Sequence, residues 1–199
     1  MYIFFFDIKS KCNFFPFFRS KRFESNFEYF NFERELINEK IQKFAGYAQI
    51  NNEPFFLNGI IRKFRPKKCL EIGVAKGGSS VIILNAIKDV NNSFLVSIDI
   101  KTNYYANQSL KTGYVVNKYF PELALNKWKL FTGKQPHIFL SKINLKFDFL
   151  FLDTVHMVPG ELLNFIEVLP FLEENAIMVE HQILAFLKTF LWLFLIMKY

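Results

Sequence analysis

The chain has 199 residues, of which 51% are hydrophobic and 22% are charged; this length supports one domain with a sizeable core, and this composition excludes a disordered protein. The net charge of +7 would suit an anionic partner, but the sequence has no zinc-finger spacing and no aromatic RNA-binding pattern, so nucleic acid is not expected as a partner. Cys12 and Cys69 are far apart and belong to no motif, so a reduced protein in the cytoplasm is expected.

Residues 1–48 are predicted to be an aromatic and basic segment that leads into a helix over residues 27–48. The apolar run at residues 2–6 is too short for a secretory signal and has no positive charge before it. Residues 183–199 are predicted to form an apolar helix that is shorter than the ~20 residues needed to span a bilayer. We expect both termini to pack on the domain, and contact with an anionic membrane surface is the alternative.

The rest of the chain alternates short apolar strands with helices, and residues 49–182 are predicted to be one domain. Strands are predicted over residues 68–72, 94–99, 129–132, 147–152 and 176–179. Helices are predicted over residues 54–64, 77–89, 103–120, 137–142, 159–169 and 184–197. This order predicts an α/β fold: a Rossmann-like, doubly wound, mostly parallel sheet of about five strands with helices on both faces. Ligands of such sheets bind at the carboxyl ends of the strands.

A glycine-rich turn follows the first of these strands. Residues 71–78 read Glu-Ile-Gly-Val-Ala-Lys-Gly-Gly, and Gly73 and Gly77 allow backbone shapes and close approaches that a Cβ would block. The turn leads into the start of a helix, whose free N–H groups are expected to hold a carboxylate or a phosphate. Ala75 replaces the second glycine of the dinucleotide fingerprint, and the turn lacks the Gly-Lys-Ser/Thr of a P-loop, so neither of those sites is indicated.

Polar residues end or follow the other strands at the same edge of the predicted sheet. Asp99 ends the second strand, where a carboxylate can accept hydrogen bonds from both hydroxyls of a ribose. Gly133 lies in a turn after the third strand, Asp153 follows the fourth, and His156 comes three residues later. An imidazole with an ordinary pKa of ~6.5 can act as general base for a hydroxyl. His181, after the fifth strand, is a second acid–base candidate.

The turn resembles motif I of class I S-adenosylmethionine (SAM)-dependent methyltransferases, and Asp99 matches the ribose acid of that family. The spacing of Asp153 and His156 is similar to that of small-molecule O-methyltransferases of the catechol type. The resemblance implies an enzyme that moves a methyl group from SAM to a hydroxyl of a small molecule or sugar. The cofactor-binding residues that it implies are Glu71, Gly73, Ala75, Gly77, Gly78, Asp99, Ile100, Gly133 and Asp153. The catalytic candidates are His156, Asp153 and His181.

The residues after the fifth strand and in the turn after the third strand depart from the family pattern. Metal-dependent relatives carry an Asp-Asn pair after the fifth strand, whereas His181 and Gln182 stand there in this chain. Both are poor ligands for Mg²⁺, which prefers hard oxygens, so no metal is expected and a divalent ion is the alternative. Lys134 stands where the family has an acid near the adenine, and Gln135 is a substitute candidate for that contact.

A full class I sheet has two more strands after the fifth, whereas only residues 183–199 remain here. We therefore expect a domain that is shortened at its carboxyl terminus and has an exposed sheet edge. This expectation supports an alternative function, a degenerate and catalytically inactive methyltransferase fold that acts as a binding module. A NAD-dependent oxidoreductase is a further alternative, against which the glycine spacing argues. The sequence predicts neither the acceptor nor the oligomeric state.

Overall fold

The computed structural model describes residues 2–5, 39–45, 53–154 and 160–180 of the chain. Its strands are β1 (Tyr2–Phe5), β2 (Lys68–Ile72), β3 (Phe94–Asp99), β4 (Asn103–Tyr104), β5 (Asn107–Lys111), β6 (Trp128–Thr132), β7 (Phe147–Leu152) and β8 (Leu172–Glu180). Its helices are α1 (Glu39–Ala45), α2 (Glu53–Phe64), α3 (Gly78–Ile87), α4 (Tyr114–Tyr119), α5 (Pro121–Ala124), α6 (Pro136–Ile143) and α7 (Gly160–Val168). A short 3₁₀ helix, Leu169–Phe171, joins α7 to β8.

Six strands form the main sheet, in the order β1-β8-β7-β2-β3-β6. The strands from β8 to β6 in this order run parallel, whereas β1 runs antiparallel to β8. In the register, Ile72 pairs with Ile98 on one side and with Leu152 on the other, and Asp99 pairs with Thr132. The carboxyl ends of the parallel strands therefore lie side by side and form one rim. The predicted Rossmann-like, doubly wound sheet is confirmed.

Helices on both faces of the sheet account for the apolar sequence of its strands. Cys69 packs with the buried residues of α2, α3 and α4, whereas Leu70 and Ile72 pack with those of α6 and α7. Successive side chains of a strand point to opposite faces, so this alternation continues along each parallel strand. Glu71, two residues after Cys69, consequently points towards α3 rather than towards solvent. This places a carboxylate inside the core directly below the start of that helix.

The prediction of a helix over residues 103–120 is wrong for its first half. Strands β4 and β5 form a separate antiparallel hairpin over residues 103–111, and only α4 is helical. Residues 103–111 carry no apolar stripe at helical spacing, and most of their side chains are exposed. Gly113 then adopts a left-handed conformation with φ of 73°, so a helix cannot pass through it without interruption.

Strand β1 comes from the segment that was expected to precede the domain. Its four residues pair with residues 177–180 of β8, so the sheet edge that was expected to be exposed is covered over that length. The described part of the predicted 27–48 helix is α1, and the predicted helix over 184–197 lies outside the described residues. No helix in the described part of the chain is long and apolar enough to cross a membrane.

Candidate functional site

The glycine turn packs tightly against the end of β7. Gly73 has φ of 89°, its N–H donates to the carbonyl of Ile98 at 2.9 Å, and the N–H of Asp153 donates to the carbonyl of Ile72 at 3.0 Å. A Cβ at residue 73 would lie 1.8 Å from the carbonyl oxygen of Asp153. Only glycine fits there, because both the backbone conformation and the space exclude a side chain.

The second half of the turn is held by the segment that begins α4. The N–H of Gly113 donates to the carbonyl of Ala75 at 2.9 Å, and the N–H of Val115 donates to the carbonyl of Lys76 at 3.0 Å. Gly77 has φ of 94°, and a Cβ there would lie 3.1 Å from the Cα of Gly113. Two glycines therefore approach each other where the turn meets α4. Sequence reasoning missed Gly113, and a glycine directly before a helix was the available sign.

Asp99 closes the turn from the side of β3. One carboxylate oxygen, Oδ2, accepts the N–H groups of Val74 at 2.9 Å and Ala75 at 3.0 Å. The other, Oδ1, accepts the N–H of Lys101 at 2.8 Å. The N–H of Gly77 donates to the carbonyl of Val74 at 2.8 Å. The carboxylate that the N–H groups of Val74 and Ala75 hold is therefore that of Asp99 itself, and Gly77 donates within the turn, so the chain already uses these three donors.

Glu71 lies under the turn and is completely buried. Its carboxylate accepts hydrogen bonds from the hydroxyls of Ser79 at 2.5 Å, Ser80 at 2.6 Å and Ser97 at 2.5 Å. Two of these serines belong to the first turn of α3, so the carboxylate ties the start of that helix to β2 and β3. Its predicted part in cofactor binding stays a prediction, and the geometry makes Glu71 a brace beneath the rim.

Burial also changes the acidity of this carboxyl group. Loss of solvation raises the pKa of Glu71 to about 7, the three serine hydroxyls oppose the rise, and the negative charge of Asp153 adds to it. The network continues to the edge strand, where the indole Nε1 of Trp128 donates to Ser97 Oγ at 2.8 Å. Sequence reasoning missed Ser97 and Trp128. A lone serine inside an apolar strand was the available sign.

The rim beyond Asp99 presents both apolar and polar groups. Ile100 is 51% exposed although it directly follows a buried strand. The N–H of Gly133 donates to the carbonyl of Asp99 at 3.0 Å, which brings the turn after β6 against the end of β3. Lys134 and Gln135 in that turn are exposed. The structure therefore brings together Asp99, Ile100 and Gly133, as their positions at strand ends predicted.

Asp153 lies on the same rim beside the glycine turn and is partly exposed. The next residue, Thr154, accepts a hydrogen bond from the Nδ2 of Asn164 on α7 at 3.2 Å. The other two catalytic candidates, His156 and His181, and the Gln182 that follows, lie outside the described residues. Among the described residues, no three His, Cys, Asp or Glu side chains come together in a group that could hold a metal ion.

Comparisons with known proteins bear on this arrangement. A family model described as a methyltransferase domain matches residues 70–183. Among solved structures, the chain is similar to the methyltransferase PaMTH1 of Podospora anserina with S-adenosylhomocysteine (SAH) bound, at 16% identity and a TM-score of 0.57, over 72% of this chain and 62% of that one. It is also similar to the O-methyltransferase TomG of Streptomyces achromogenes in complex with SAM, at 19% identity and a TM-score of 0.56, over 77% of this chain and 70% of that one.

A third similar structure is the O-methyltransferase of Bacillus cereus in complex with SAH, at 17% identity and a TM-score of 0.53, over 73% of this chain and 65% of that one. The chain thus spans less than two thirds of the P. anserina and B. cereus proteins. No curated protein matches the chain. At these identities the three structures establish the fold that the chain shares with them.

Proposed function

The chain belongs to the methyltransferase domain family, and we propose that it transfers a methyl group from SAM to an oxygen of a small molecule or sugar. The observation that carries this proposal is the junction of Gly73, Asp99 and Asp153 at one rim, with a turn in which Asp99 braces the backbone. The choice of oxygen as acceptor rests on the O-methyltransferases among the similar structures and on the Asp153–His156 spacing.

The residues present suit the cofactor. A carboxylate has about four lone-pair sites, and Asp99 uses three of them for backbone N–H groups, which leaves about one on Oδ1 for a ribose hydroxyl. Ile100, beside Asp99, offers an exposed apolar side chain that a purine ring would cover. Gly133 keeps the neighbouring turn close to the end of β3 without a side chain in between. These groups can bind a nucleoside whose sugar lies over β3.

When bound, SAM would supply a methyl group already activated by its sulfonium, so the chain needs to place the acceptor and remove its proton. We assign the removal of the acceptor's proton to His156, which follows Asp153 by three residues in the chain. Asp153, at the rim and next to the glycine turn, would orient the acceptor hydroxyl or the imidazole. The assignment rests on the sequence spacing and on the position of Asp153.

Calorimetric titration of the purified protein with SAH tests the cofactor. We expect micromolar binding, which Asp99→Ala weakens by about tenfold through loss of a charged hydrogen-bond acceptor. Because Asp99 also braces the turn, Ile100→Ala is the more specific variant. It removes part of an exposed side chain, and we expect binding to weaken by about fivefold, the equivalent of about 1 kcal/mol of apolar contact.

The matched control is Leu125→Ala, which shortens another exposed aliphatic side chain, 71% exposed, in the loop that precedes β6. That loop lies at the amino end of the strand, so SAH affinity should not change. A folded wild-type protein that does not bind SAH contradicts the proposal and favours the inactive binding module. Tighter binding of NADH than of SAH would favour the oxidoreductase.

A further inference from the structure

The hairpin of β4 and β5, residues 103–111, stands on the rim between Asp99 and the glycine turn. We call it the rim hairpin. Thr112 fastens its base, because its N–H donates to the carbonyl of Thr102 at 3.1 Å and its hydroxyl donates to the carbonyl of Lys101 at 2.8 Å. The chain then continues into Gly113, whose N–H is bonded to the glycine turn. Both ends of the rim hairpin are therefore fixed to the residues proposed to hold the cofactor.

Three tyrosines, Tyr104, Tyr105 and Tyr114, form an aromatic cluster at the rim hairpin. The ring of Tyr104 lies 5.0 Å from that of Tyr105 in an edge-to-face arrangement and 5.9 Å from that of Tyr114 at the start of α4. Tyr105 is 69% exposed. Burying such a ring in the core would contribute far more to stability than leaving it in water. An exposed ring that packs on Tyr104, which in turn packs against Tyr114, is instead suited to contact with a ligand.

The charge of this segment has one sign. Residues 100–121 contain three lysines, Lys101, Lys111 and Lys118, and no acidic residue. Lys101 and Lys111 are exposed and belong to the base of the rim hairpin. Lys134 is also exposed and lies near this base, since a Cβ on the preceding Gly133 would lie 3.1 Å from Thr102. The nearest acid along the chain, Asp99, already accepts three N–H groups. Three exposed lysines, Lys101, Lys111 and Lys134, therefore outnumber the two partly exposed acids of the rim, Asp99 and Asp153, and the excess of positive charge at the hairpin favours anionic ligands.

We propose that the rim hairpin is the acceptor-binding surface, and that it selects acceptors in which an aromatic or sugar ring carries an anionic group, a phosphate or a carboxylate. This inference rests on the proposed function, because only a bound cofactor makes this rim the place of methyl transfer. Lys111 Nζ donates to Asn103 Oδ1 at 3.0 Å and has two further N–H donors. Lys101 and these donors of Lys111 bind the anion through charge-assisted hydrogen bonds, and Tyr105 stacks on the ring. A free hydroxyl on the same ring would then face the rim at Asp153.

Calorimetry with four small probes tests this directly. Phenyl phosphate, benzoate, inorganic phosphate and phenol are titrated into the full-length protein, with and without saturating SAH. We expect phenyl phosphate or benzoate to bind with a dissociation constant of about 1 mM or lower, more tightly than inorganic phosphate and phenol. The order of phenyl phosphate and benzoate identifies phosphate or carboxylate as the anion. The double variant Lys101→Gln/Lys111→Gln should weaken this binding by about tenfold, and Tyr105→Ala should reduce it to that of inorganic phosphate.

The control is Lys142→Gln/Lys146→Gln, which removes the same charge from two exposed lysines. These lie near the amino end of β7, at the ends of the strands opposite the rim. It should leave probe binding within twofold of wild type, and all variants should keep wild-type circular dichroism. The proposal is overturned if the wild type binds neither anionic ring compound, if the rim-hairpin variants bind as wild type does, or if the control weakens binding equally. SAH binding, measured in the same protein, separately reports on the proposed function.

Discussion

Replacing Glu71 with glutamine should change how the stability of this protein depends on pH. The wild-type carboxyl is buried, and its pKa lies at about 7 instead of 4.5 because burial penalises the charged form. Below pH 4.5 both the folded and the unfolded chain hold this proton. Between pH 4.5 and 7 the unfolded chain releases it while the folded chain keeps it, so the wild type loses stability as the pH rises through this window. Above pH 7 the loss is complete and constant.

The magnitude follows from the shift. A difference of about 2.5 pKa units at about 1.4 kcal/mol each corresponds to a loss on the order of 3 kcal/mol across the window. The Glu71→Gln side chain stays neutral at every pH, and its amide can still pair with the hydroxyls of Ser79, Ser80 and Ser97. The stability of the variant should lack this component. The free energy of unfolding of the variant, relative to that of the wild type, should therefore rise by this amount between pH 4.5 and 7 and stay constant above pH 7.

Urea denaturation of both proteins at half-unit steps from pH 4.5 to 8 measures the difference in the free energy of unfolding. Taking the difference removes contributions from the titratable groups that both chains share. The control is Glu122→Gln, at an exposed glutamate that pairs with Lys40 at 3.6 Å; its profile should run parallel to that of the wild type. If Glu71→Gln also gives a parallel profile, the argument from burial is refuted.

Three further predictions concern the turn, the core and the chemistry. Gly73→Ala should cost at least about 3 kcal/mol of stability in thermal unfolding. Gly133→Ala should cost about 1 kcal/mol, because the added Cβ would lie 3.1 Å from its nearest neighbour. Equal losses would contradict the steric argument. Lys127→Met removes an ammonium that donates to the carbonyls of Ile87, the last residue of α3, and Val90 and to the hydroxyl of Ser93. It should lower the free energy of unfolding in urea by about 2 kcal/mol, against less than about 0.5 kcal/mol for exposed Lys129→Met. With an acceptor in hand, His156→Ala should lower kcat by about a hundredfold and leave SAH affinity unchanged; an unchanged kcat would exclude His156 as the base.

The sequence predicted the parallel strands well, because each is a short apolar run between polar turns. Strands β3 and β7 have the predicted limits, and β2 does as well. The positions of Gly73 and Asp99 at strand ends were also readable, since strand direction alone puts them on one rim. The rim hairpin was missed because its residues follow neither a helical nor a clear strand period; its two strands pair with each other, and Thr112 closes its base.

By itself, the sequence determined the class of fold, the rim that carries the candidate site and the family to which the turn is similar, because these depend on local periodicity and on glycine geometry. The tertiary structure decided what the charged groups do there. Asp99 braces the turn through N–H groups about 25 residues away along the chain, Glu71 is buried under three serines, and β1 pairs with β8 from the far end of the chain. Apart from the bonds of Glu71 to Ser79 and Ser80, these contacts join residues distant in sequence, so no local pattern specifies them, and only packing of the whole sheet brings them within hydrogen-bonding distance.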